Sequence, residues 1–312
     1  MKYGFGVDVG GTTVKLAYFD TEGNMLDKWE IPTVVGTDGS QILPDIAASI
    51  ENYIQINQID RENLIGIGVG VPGPVSTRGV VNKCINLNWG VFNIEVALSK
   101  LTNMPVQAGN DANVAALGES WKGGGAGCEN VVMATLGTGV GGGIIIDGKV
   151  IAGAHGAGGE IGHMVINREE TAYCNCGKRG CVEQYCSATG IVRTAKQFME
   201  RSAAPSVLRS VENLTCKDIF DAAKAEDALA LEILEQFYAY LGEFLANVCD
   251  VVNPEVIVIG GGVSKAGQMI LDGAKKYFDK AVFHAAGDVR FALASLGNDA
   301  GAYGAFKLIL DA

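Results

Sequence analysis

A short glycine and threonine turn between two apolar strands occurs twice in this sequence, and this repeat constrains the fold more than any other feature. The first copy joins predicted strands over 3–9 and 14–20, and the second joins predicted strands over 130–136 and 141–146. β-Branched residues continue directly from the first turn, so the pattern predicts a hairpin rather than a strand followed by a helix. Two similar hairpins predict two similar α/β lobes that face a shared cleft.

Both turns carry residue types that bind phosphate. Glycine lets backbone N–H groups approach an anion closely, and neighbouring hydroxyls add further donors. Neither turn is a P-loop or a dinucleotide-binding turn, because the required spacing and the following helix are missing. An ordinary hairpin turn is the alternative interpretation. The predicted phosphate-binding residues are Gly10, Gly11, Thr12, Thr13, Lys15, Gly137, Thr138 and Gly139.

Asp8 lies one residue before the first turn and predicts a magnesium site. Mg²⁺ prefers a carboxylate together with water, so Asp8 could hold the ion directly or through water.

Glycine makes up 43 of the 312 residues, roughly twice the usual ~7%. A third cluster, which includes Gly261 and Gly262, follows a predicted strand over 256–259 and precedes a helix. Such a unit could lay its backbone against a flat adenine ring, and plain helix packing is the alternative. We therefore predict that Gly261 and Gly262 belong to a nucleotide site.

The segment between Glu160 and Glu183 contains one of the three histidines and three closely spaced cysteines. Thiolate and imidazole suit Zn²⁺, and three thiols with one imidazole leave no open coordination position. The pattern therefore predicts a structural zinc site that fixes this glycine-bearing loop. Spacing does not decide the fourth ligand, because His163 and Cys186 are equally placed. The candidate ligands are His163, Cys174, Cys176 and Cys181, with Cys186 as the alternative to His163.

Asn110 and Asp111 lie where a predicted strand over 105–108 meets an alanine-rich helix. Ligands in open α/β sheets bind at the carboxyl ends of strands, so Asp111 is a candidate general base. The alternative is that Asn110 or Asp111 only caps the helix.

Composition limits the partners and the compartment. The net charge is −11 and no basic run is present, which argues against nucleic acid and anionic membranes as partners. No apolar run reaches the ~20 residues that a spanning helix needs. Without a recognisable signal peptide, we expect a reducing cytoplasm and thiols that are free or metal-bound.

The length of 312 residues suits two domains. We expect an N-terminal α/β lobe over 1–109 and a C-terminal α/β lobe over 110–299 that carries the zinc loop. The closing helix, within 300–312, is expected to pack back on the first lobe.

Taken together, these motifs resemble the ROK sugar kinases of the actin/hexokinase superfamily, and among them the bacterial glucokinases. The resemblance covers essentially the whole chain. Its motifs are DVGGTTVK (8–15), GVPGPV (70–75), NDANVAALGE (110–119), LGTGVGGG (136–143), GEIGH (159–163), CxCGxxGCxE (174–183) and GGGVS (260–264).

The resemblance implies two RNase-H-like lobes that close over ATP and a sugar, and it implies a homodimer. It implies that Asp111 takes the proton of the sugar 6-hydroxyl as that oxygen attacks the γ-phosphate of Mg-ATP. It also implies that His163 is the fourth zinc ligand, with its other ring nitrogen toward the sugar. The implied sugar-binding residues are Asn110, Asp111, Glu160, His163 and Glu183.

Two alternatives to a glucokinase remain at this stage. One is a kinase of another hexose, such as N-acetylglucosamine, N-acetylmannosamine or fructose, because hexose selectivity depends on a few hydroxyl contacts. The other is a non-catalytic sugar-sensing repressor. We do not expect a repressor. The repressors of this family carry a helix-turn-helix domain before the kinase-like part, whereas the phosphate hairpin here begins at Asp8.

Overall fold

The chain folds into two compact units, and the computed structural model describes all 312 residues. The first unit comprises residues 1–129, 143–159 and 296–312, and the second comprises 130–142 and 160–295. The strands are β1 (Tyr3–Val9), β2 (Thr13–Asp20), β3 (Met25–Pro32), β4 (Leu64–Val71), β5 (Val80–Cys84), β6 (Trp89–Asn93), β7 (Val106–Asn110), β8 (Val131–Leu136), β9 (Val140–Ile146), β10 (Lys149–Val150), β11 (Val256–Gly260) and β12 (Arg290–Leu293).

Nine α-helices accompany these strands, and several shorter 3-10 turns lie between them. The helices are α1 (Ile42–Ile56), α2 (Ile94–Thr102), α3 (Asp111–Lys122), α4 (Glu183–Cys186), α5 (Ala188–Arg201), α6 (Cys216–Lys224), α7 (Ala228–Val252), α8 (Gln268–Ala281) and α9 (Ala300–Leu310). None of them combines the length and apolar character that a membrane crossing demands. All eight cysteines are free of disulfide bonds.

The first unit is built on a sheet of order β3-β2-β1-β4-β7. The strands β1, β2 and β3 form an antiparallel meander, and β4 pairs in parallel with β1 and β7. One face buries Phe5 and Val69 against α1, whose Ile46 and Ile50 recur at helical spacing. Each such fully buried side chain stabilises the fold by about 1.5–3 kcal/mol.

Helix α9 covers the other face of this sheet, and two strand glycines permit its close approach. A Cβ atom on Gly6 would overlap the carbonyl of Ala302, and one on Gly68 would overlap the carbonyl of Ala305. Helix α3 also packs closely against α9. Gly304 permits this approach, because a Cβ atom at that position would overlap the carbonyl of Val114.

This packing explains where the structure departs from the expected division at residue 109. Helix α3 belongs to the first unit because it packs on α9, which itself covers β1 and β4. Residues 143–159 also belong to the first unit, whereas we had placed them in the C-terminal lobe.

A two-stranded hairpin formed by β5 and β6 lies in a segment for which we had predicted no strand. Lys83 and Asn88 adopt positive φ angles of 65° and 55°, and a 3-10 turn over Ile85–Leu87 separates the strands. These interruptions break the period-2 alternation that identifies a strand in sequence. Side chains such as Val81 and Trp89 nevertheless bury against the core of the first unit.

In the second unit, β11 pairs in parallel with both β8 and β12. The complete order of this sheet is β10-β9-β8-β11-β12, of which β8, β11 and β12 belong wholly to the second unit. The long helix α7 buries the stripe that includes Leu234, Leu241 and Leu245 inside the unit. Leu231 is 43% exposed although its neighbours Leu229 and Ala230 are buried, so it lies on the outer face of the helix.

Candidate active site

The junction between β7 and α3 holds Asp111 in place through its neighbours. Asn110 is the N-cap of α3, and its side-chain oxygen accepts a hydrogen bond from the Asn113 backbone N–H at 3.1 Å. The side-chain nitrogen of Asn110 donates to Oδ1 of Asp111 at 3.0 Å and to the carbonyl of Gly73 at 3.1 Å. Asn110 is therefore the cap, and Asp111 occupies the first helical position, where the helix dipole favours an ionised carboxylate.

Asp8 is the penultimate residue of β1 and lies within electrostatic reach of Asp111. Burial raises the pKa of the Asp8 carboxyl, Lys15 lowers it by a smaller amount, and the charge of Asp111 raises it again. A buried carboxylate that is destabilised in this way gains most from a nearby cation. Asp8 offers carboxylate oxygens close to a second carboxylate, that of Asp111, and Mg²⁺ prefers oxygen ligands of this kind.

The first glycine turn is the hairpin that the sequence predicts. Val9 pairs with Val14 across the antiparallel β1–β2 ladder, and the N–H of Gly10 donates to the carbonyl of Thr13 at 3.0 Å. Gly11 and Thr12 are exposed at the tip, and nothing lies within 4 Å of a Cβ placed on Gly11. The tip can therefore present N–H and hydroxyl donors to an anion.

The second glycine turn joins β8 to β9 in the second unit. The N–H of Gly137 bonds to the carbonyl of Gly139 at 2.9 Å. The turn is braced from outside, because the Ala188 N–H donates to the carbonyl of Gly137 at 2.8 Å and the Thr189 hydroxyl to that of Thr138 at 2.8 Å. Both predicted phosphate turns therefore exist as turns, one in each unit.

Four predicted metal ligands come together in the second unit. The donor atoms of His163, Cys174, Cys176 and Cys181 all lie within 4.8 Å of one another. Nδ1 of His163 is 3.8 Å from Sγ of Cys174, and the Sγ atoms of Cys176 and Cys181 are 3.6 Å apart. Zinc with bonds of about 2.0–2.3 Å in tetrahedral geometry separates its ligand atoms by roughly 3.5–3.8 Å, so the residues fit Zn²⁺.

Cys186 lies outside this cluster, although spacing alone had left it as an alternative to His163. It is fully buried at the end of α4, and burial raises the pKa of its thiol well above the ordinary value. The turn around the cluster needs glycine, because Gly177 and Gly180 adopt φ angles of 86° and 74°.

Three sugar-site candidates belong to the second unit, and one of them, His163, is itself a member of this cluster. Glu160 is exposed and precedes a 3-10 turn over Ile161–His163. Because Nδ1 of His163 faces the cysteines, Nε2 points away from the cluster as the second ring nitrogen. Glu183 begins α4, and its Oε2 accepts a hydrogen bond from the Val140 N–H at 3.1 Å. Asn110 and Asp111 belong to the first unit.

A cavity of about 370 Å³ lies beside the third glycine cluster in the second unit. Gly261 has a φ of 82° at the end of β11, and the 3-10 turn that follows supplies one wall. Helix α6 supplies the facing wall, including Phe220. A flat apolar ring fits such a cavity. Of the two glycines that the sequence assigned to a nucleotide site, Gly262 lines the cavity and Gly261 does not.

A partly buried ion pair in the second unit was missed by sequence reasoning. The carboxylate of Glu170 accepts hydrogen bonds from Arg193 at 2.6 Å and from the Tyr185 hydroxyl at 2.5 Å. Burial alone would raise the pKa of Glu170, but these two donors and the Ala172 N–H lower it to about 2. The network ties the loop that carries the cysteines to α4 and α5. No local sequence pattern indicates this network, because Tyr185 and Arg193 are 15 and 23 residues from Glu170 in the chain.

Replacing Glu170 by Gln is expected to lower the free energy of unfolding at pH 7 by about 2 kcal/mol, because Arg193 then loses its partly buried counter-ion. The folded pKa of about 2 lies below the ordinary glutamate pKa of 4.5. The stabilisation is therefore complete above about pH 4.5 and is lost as the pH falls toward 2. Urea unfolding at pH 7 and pH 3 measures it, with the exposed Glu169→Gln as control. An equal gap between wild type and Glu170→Gln at both pH values would refute the assignment.

The chain is similar to known proteins over nearly its whole length. The glucokinase of Halalkalibacterium halodurans is 44% identical over 309 residues, which cover 97% of this chain and 94% of that protein. The glucokinase of Thermotoga maritima is 34% identical over 310 residues, with 97% and 96% covered. A solved structure of a ROK family glucokinase from Streptomyces griseus in complex with glucose and AMPPNP aligns with a TM-score of 0.74 at 32% identity, covering 98% of each chain.

The mixed α/β architecture is that of the ROK sugar kinase structures, as the sequence motifs imply. The match to the family itself runs over residues 4–312, which is nearly the whole chain. This protein therefore belongs to the ROK family.

Proposed function

We propose that this chain is an ATP-dependent glucokinase that transfers the γ-phosphate of ATP to the 6-hydroxyl of glucose. The observation that carries the proposal is the placement of Asp111 at the carboxyl end of β7 and the start of α3, held there by Asn110. The 44% identity to a glucokinase over 97% of the chain supports glucose as the sugar.

Asp111 is assigned the role of general base. A carboxylate in this role orients the 6-hydroxyl and accepts its proton as the oxygen attacks phosphorus. Phosphoryl transfer depends mainly on positioning and on neutralising charge, rather than on covalent participation of the protein. Asn110 contributes by fixing the rotamer of Asp111, because both of its side-chain N–H groups are used on Gly73 and Asp111.

The two glycine turns are assigned to the phosphates of ATP. Backbone N–H groups at Gly10–Gly11 and Gly137–Gly139 would donate to phosphate oxygens, with Thr12, Thr13 and Thr138 adding hydroxyls and Lys15 adding a charge. Asp8 would hold Mg²⁺, which supplies charge neutralisation at the phosphates when bound. The cavity beside Gly262 would take the adenine ring.

Glu160, His163 and Glu183 are assigned to the hexose hydroxyls, together with Asn110 and Asp111. Carboxylates suit this task because each accepts hydrogen bonds from more than one hydroxyl. Zinc held by His163, Cys174, Cys176 and Cys181 would fix the loop that carries these groups. It would also set the tautomer of His163, so that Nε2 presents an N–H donor.

A homodimer and a cytoplasmic location complete the proposal. The apolar stripe of α7 is already buried within the second unit, so a dimer would use another surface. Light scattering after size-exclusion chromatography tests the dimer, and a single species near the monomer mass of 32.6 kDa would contradict it.

A coupled assay with Mg-ATP and a panel of sugars tests the activity and the choice of sugar. We expect kcat/KM to be highest for glucose, above mannose, fructose, N-acetylglucosamine and N-acetylmannosamine. Loss of a hydroxyl that a site is built to bind commonly reduces kcat/KM by several orders of magnitude. A higher kcat/KM for an N-acetylhexosamine would replace glucose by that sugar and leave the kinase assignment intact. No phosphorylation of any hexose would overturn the proposal.

A further inference from the structure

The second glycine turn is connected directly to a residue assigned to the sugar. Of the contacts that brace this turn from residues 183–189, two use its carbonyl groups, at Gly137 and Thr138. The third is different, because the Val140 N–H donates to Oε2 of Glu183 at 3.1 Å. A backbone N–H at a glycine turn is the group that a phosphate oxygen takes, and here a carboxylate already occupies it.

The carboxylate of Glu183 is closely packed against its surroundings. A Cβ atom on Gly139 would overlap Oε2 of Glu183, so the carboxylate lies directly against the turn. On the other side, a Cβ on Gly162 would overlap the carbonyl of Val140. Val140 therefore lies between the element that carries His163 and the element that carries Glu183.

We infer that Glu183 couples sugar binding to phosphate binding by capping the Val140 amide until a sugar is present. Without sugar, Oε2 of Glu183 holds the Val140 N–H and places a negative charge beside the turn. Both effects oppose a phosphate oxygen, the first by competition for the donor and the second by repulsion. The inference rests on the proposed role of Glu183 as a sugar ligand.

Sugar hydroxyls that donate to Glu183 compete for the same carboxylate lone pairs. The sugar hydroxyls weaken the hydrogen bond between Glu183 and Val140 and compensate part of the carboxylate charge. The N–H of Val140 then becomes available to ATP. The two ligands then bind with positive coupling, and linkage requires that ATP strengthens sugar binding by the same factor. The arrangement also limits phosphate transfer to water when no sugar is bound.

Calorimetric titration with Mg-AMPPNP tests the inference. Glucose is expected to tighten AMPPNP binding to the wild type by about five- to fiftyfold, within the usual range of such coupling. In Glu183→Gln, which keeps the shape and removes the charge, AMPPNP is expected to bind about five- to tenfold more tightly than to wild type when no sugar is present. Glucose then adds less than twofold.

Glu169→Gln is the matched control, because it neutralises an exposed carboxylate of the same unit that belongs neither to the turn nor to the sugar site. Its sugar-free affinity for AMPPNP is expected to equal that of the wild type. If Glu183→Gln also binds AMPPNP without sugar as the wild type does, the inference is wrong. This readout needs no turnover, so it separates failure of the coupling from failure of the proposed glucokinase activity, which the sugar panel decides.

The Val140 amide gives a second measurement that does not depend on affinity. In a labelled wild-type sample, its proton resonance is expected to move upfield on addition of glucose, as a charge-assisted hydrogen bond is lost. In Glu183→Gln the resonance is expected to start upfield and to stay there. A Val140 resonance that glucose leaves unmoved in the wild type would overturn the inference.

Discussion

Replacing Asp111 by Asn is expected to lower kcat by about 10²- to 10⁴-fold and to leave the Kd for glucose nearly unchanged. Asparagine keeps an oxygen that can accept from the Ala112 N–H, as Oδ1 of Asp111 does at 2.8 Å. The start of α3 and its hydrogen bond from Asn110 are therefore retained. What the amide cannot do is accept the proton of the 6-hydroxyl. A coupled assay measures kcat, and calorimetry measures the Kd.

The control for this variant is Asp45→Asn, which neutralises a carboxylate in the first turn of α1. It reproduces the loss of a favourable interaction with a helix dipole, which amounts to about 0.3–1 kcal/mol of stability. We expect kcat of Asp45→Asn to equal that of the wild type. Turnover of Asp111→Asn within threefold of the wild type would eliminate Asp111 as the general base.

Replacing Cys176 by Ser is expected to release zinc, lower the melting temperature by about 10 °C or more, and weaken glucose binding at least tenfold. Cys176 is the exposed member of the cluster, so the change leaves the hydrophobic core intact. The loss therefore reports on the metal, whose binding contributes folding free energy directly. Elemental analysis, thermal unfolding and glucose calorimetry measure the three effects.

Cys186→Ala is the matched control, because this thiol is buried nearby but lies outside the cluster. It is expected to keep one zinc per chain, whereas His163→Ala is expected to lose it. If Cys176→Ser has the same melting temperature and the same affinity for glucose as the wild type, the metal is not structural. Zinc retained in His163→Ala and lost in Cys186→Ala would reverse the choice of fourth ligand.

Features that depend on a few neighbouring residues could be read from the sequence. The hairpin of β1 and β2 follows from alternating apolar and β-branched residues on either side of a glycine pair. The start of α3 follows from an Asn–Asp pair before an alanine-rich run. The cysteines are grouped in the chain itself, so a compact metal cluster could be predicted from their spacing.

Features that depend on distant residues could not be read in this way. The β5–β6 hairpin was missed because its pattern is interrupted by positive φ angles and a 3-10 turn. The assignment of α3 to the first unit depends on a glycine contact between Gly304 and Val114. Such a contact follows from how helices pack, for which a single sequence contains no periodic pattern.

The order of residues along the chain determined the two glycine turns, the carboxylate that follows β7 and the grouping of three cysteines. Each of these is encoded within about ten residues, where backbone preference and ligand spacing act locally. Only the tertiary structure decided that Glu170 binds Arg193 and that Glu183 holds the Val140 N–H. It also places His163 beside the cysteines, which spacing had left open and the family resemblance had implied. These pairings depend on side-chain direction and burial after the chain has packed, and the free energy of that packing is shared among residues far apart in sequence.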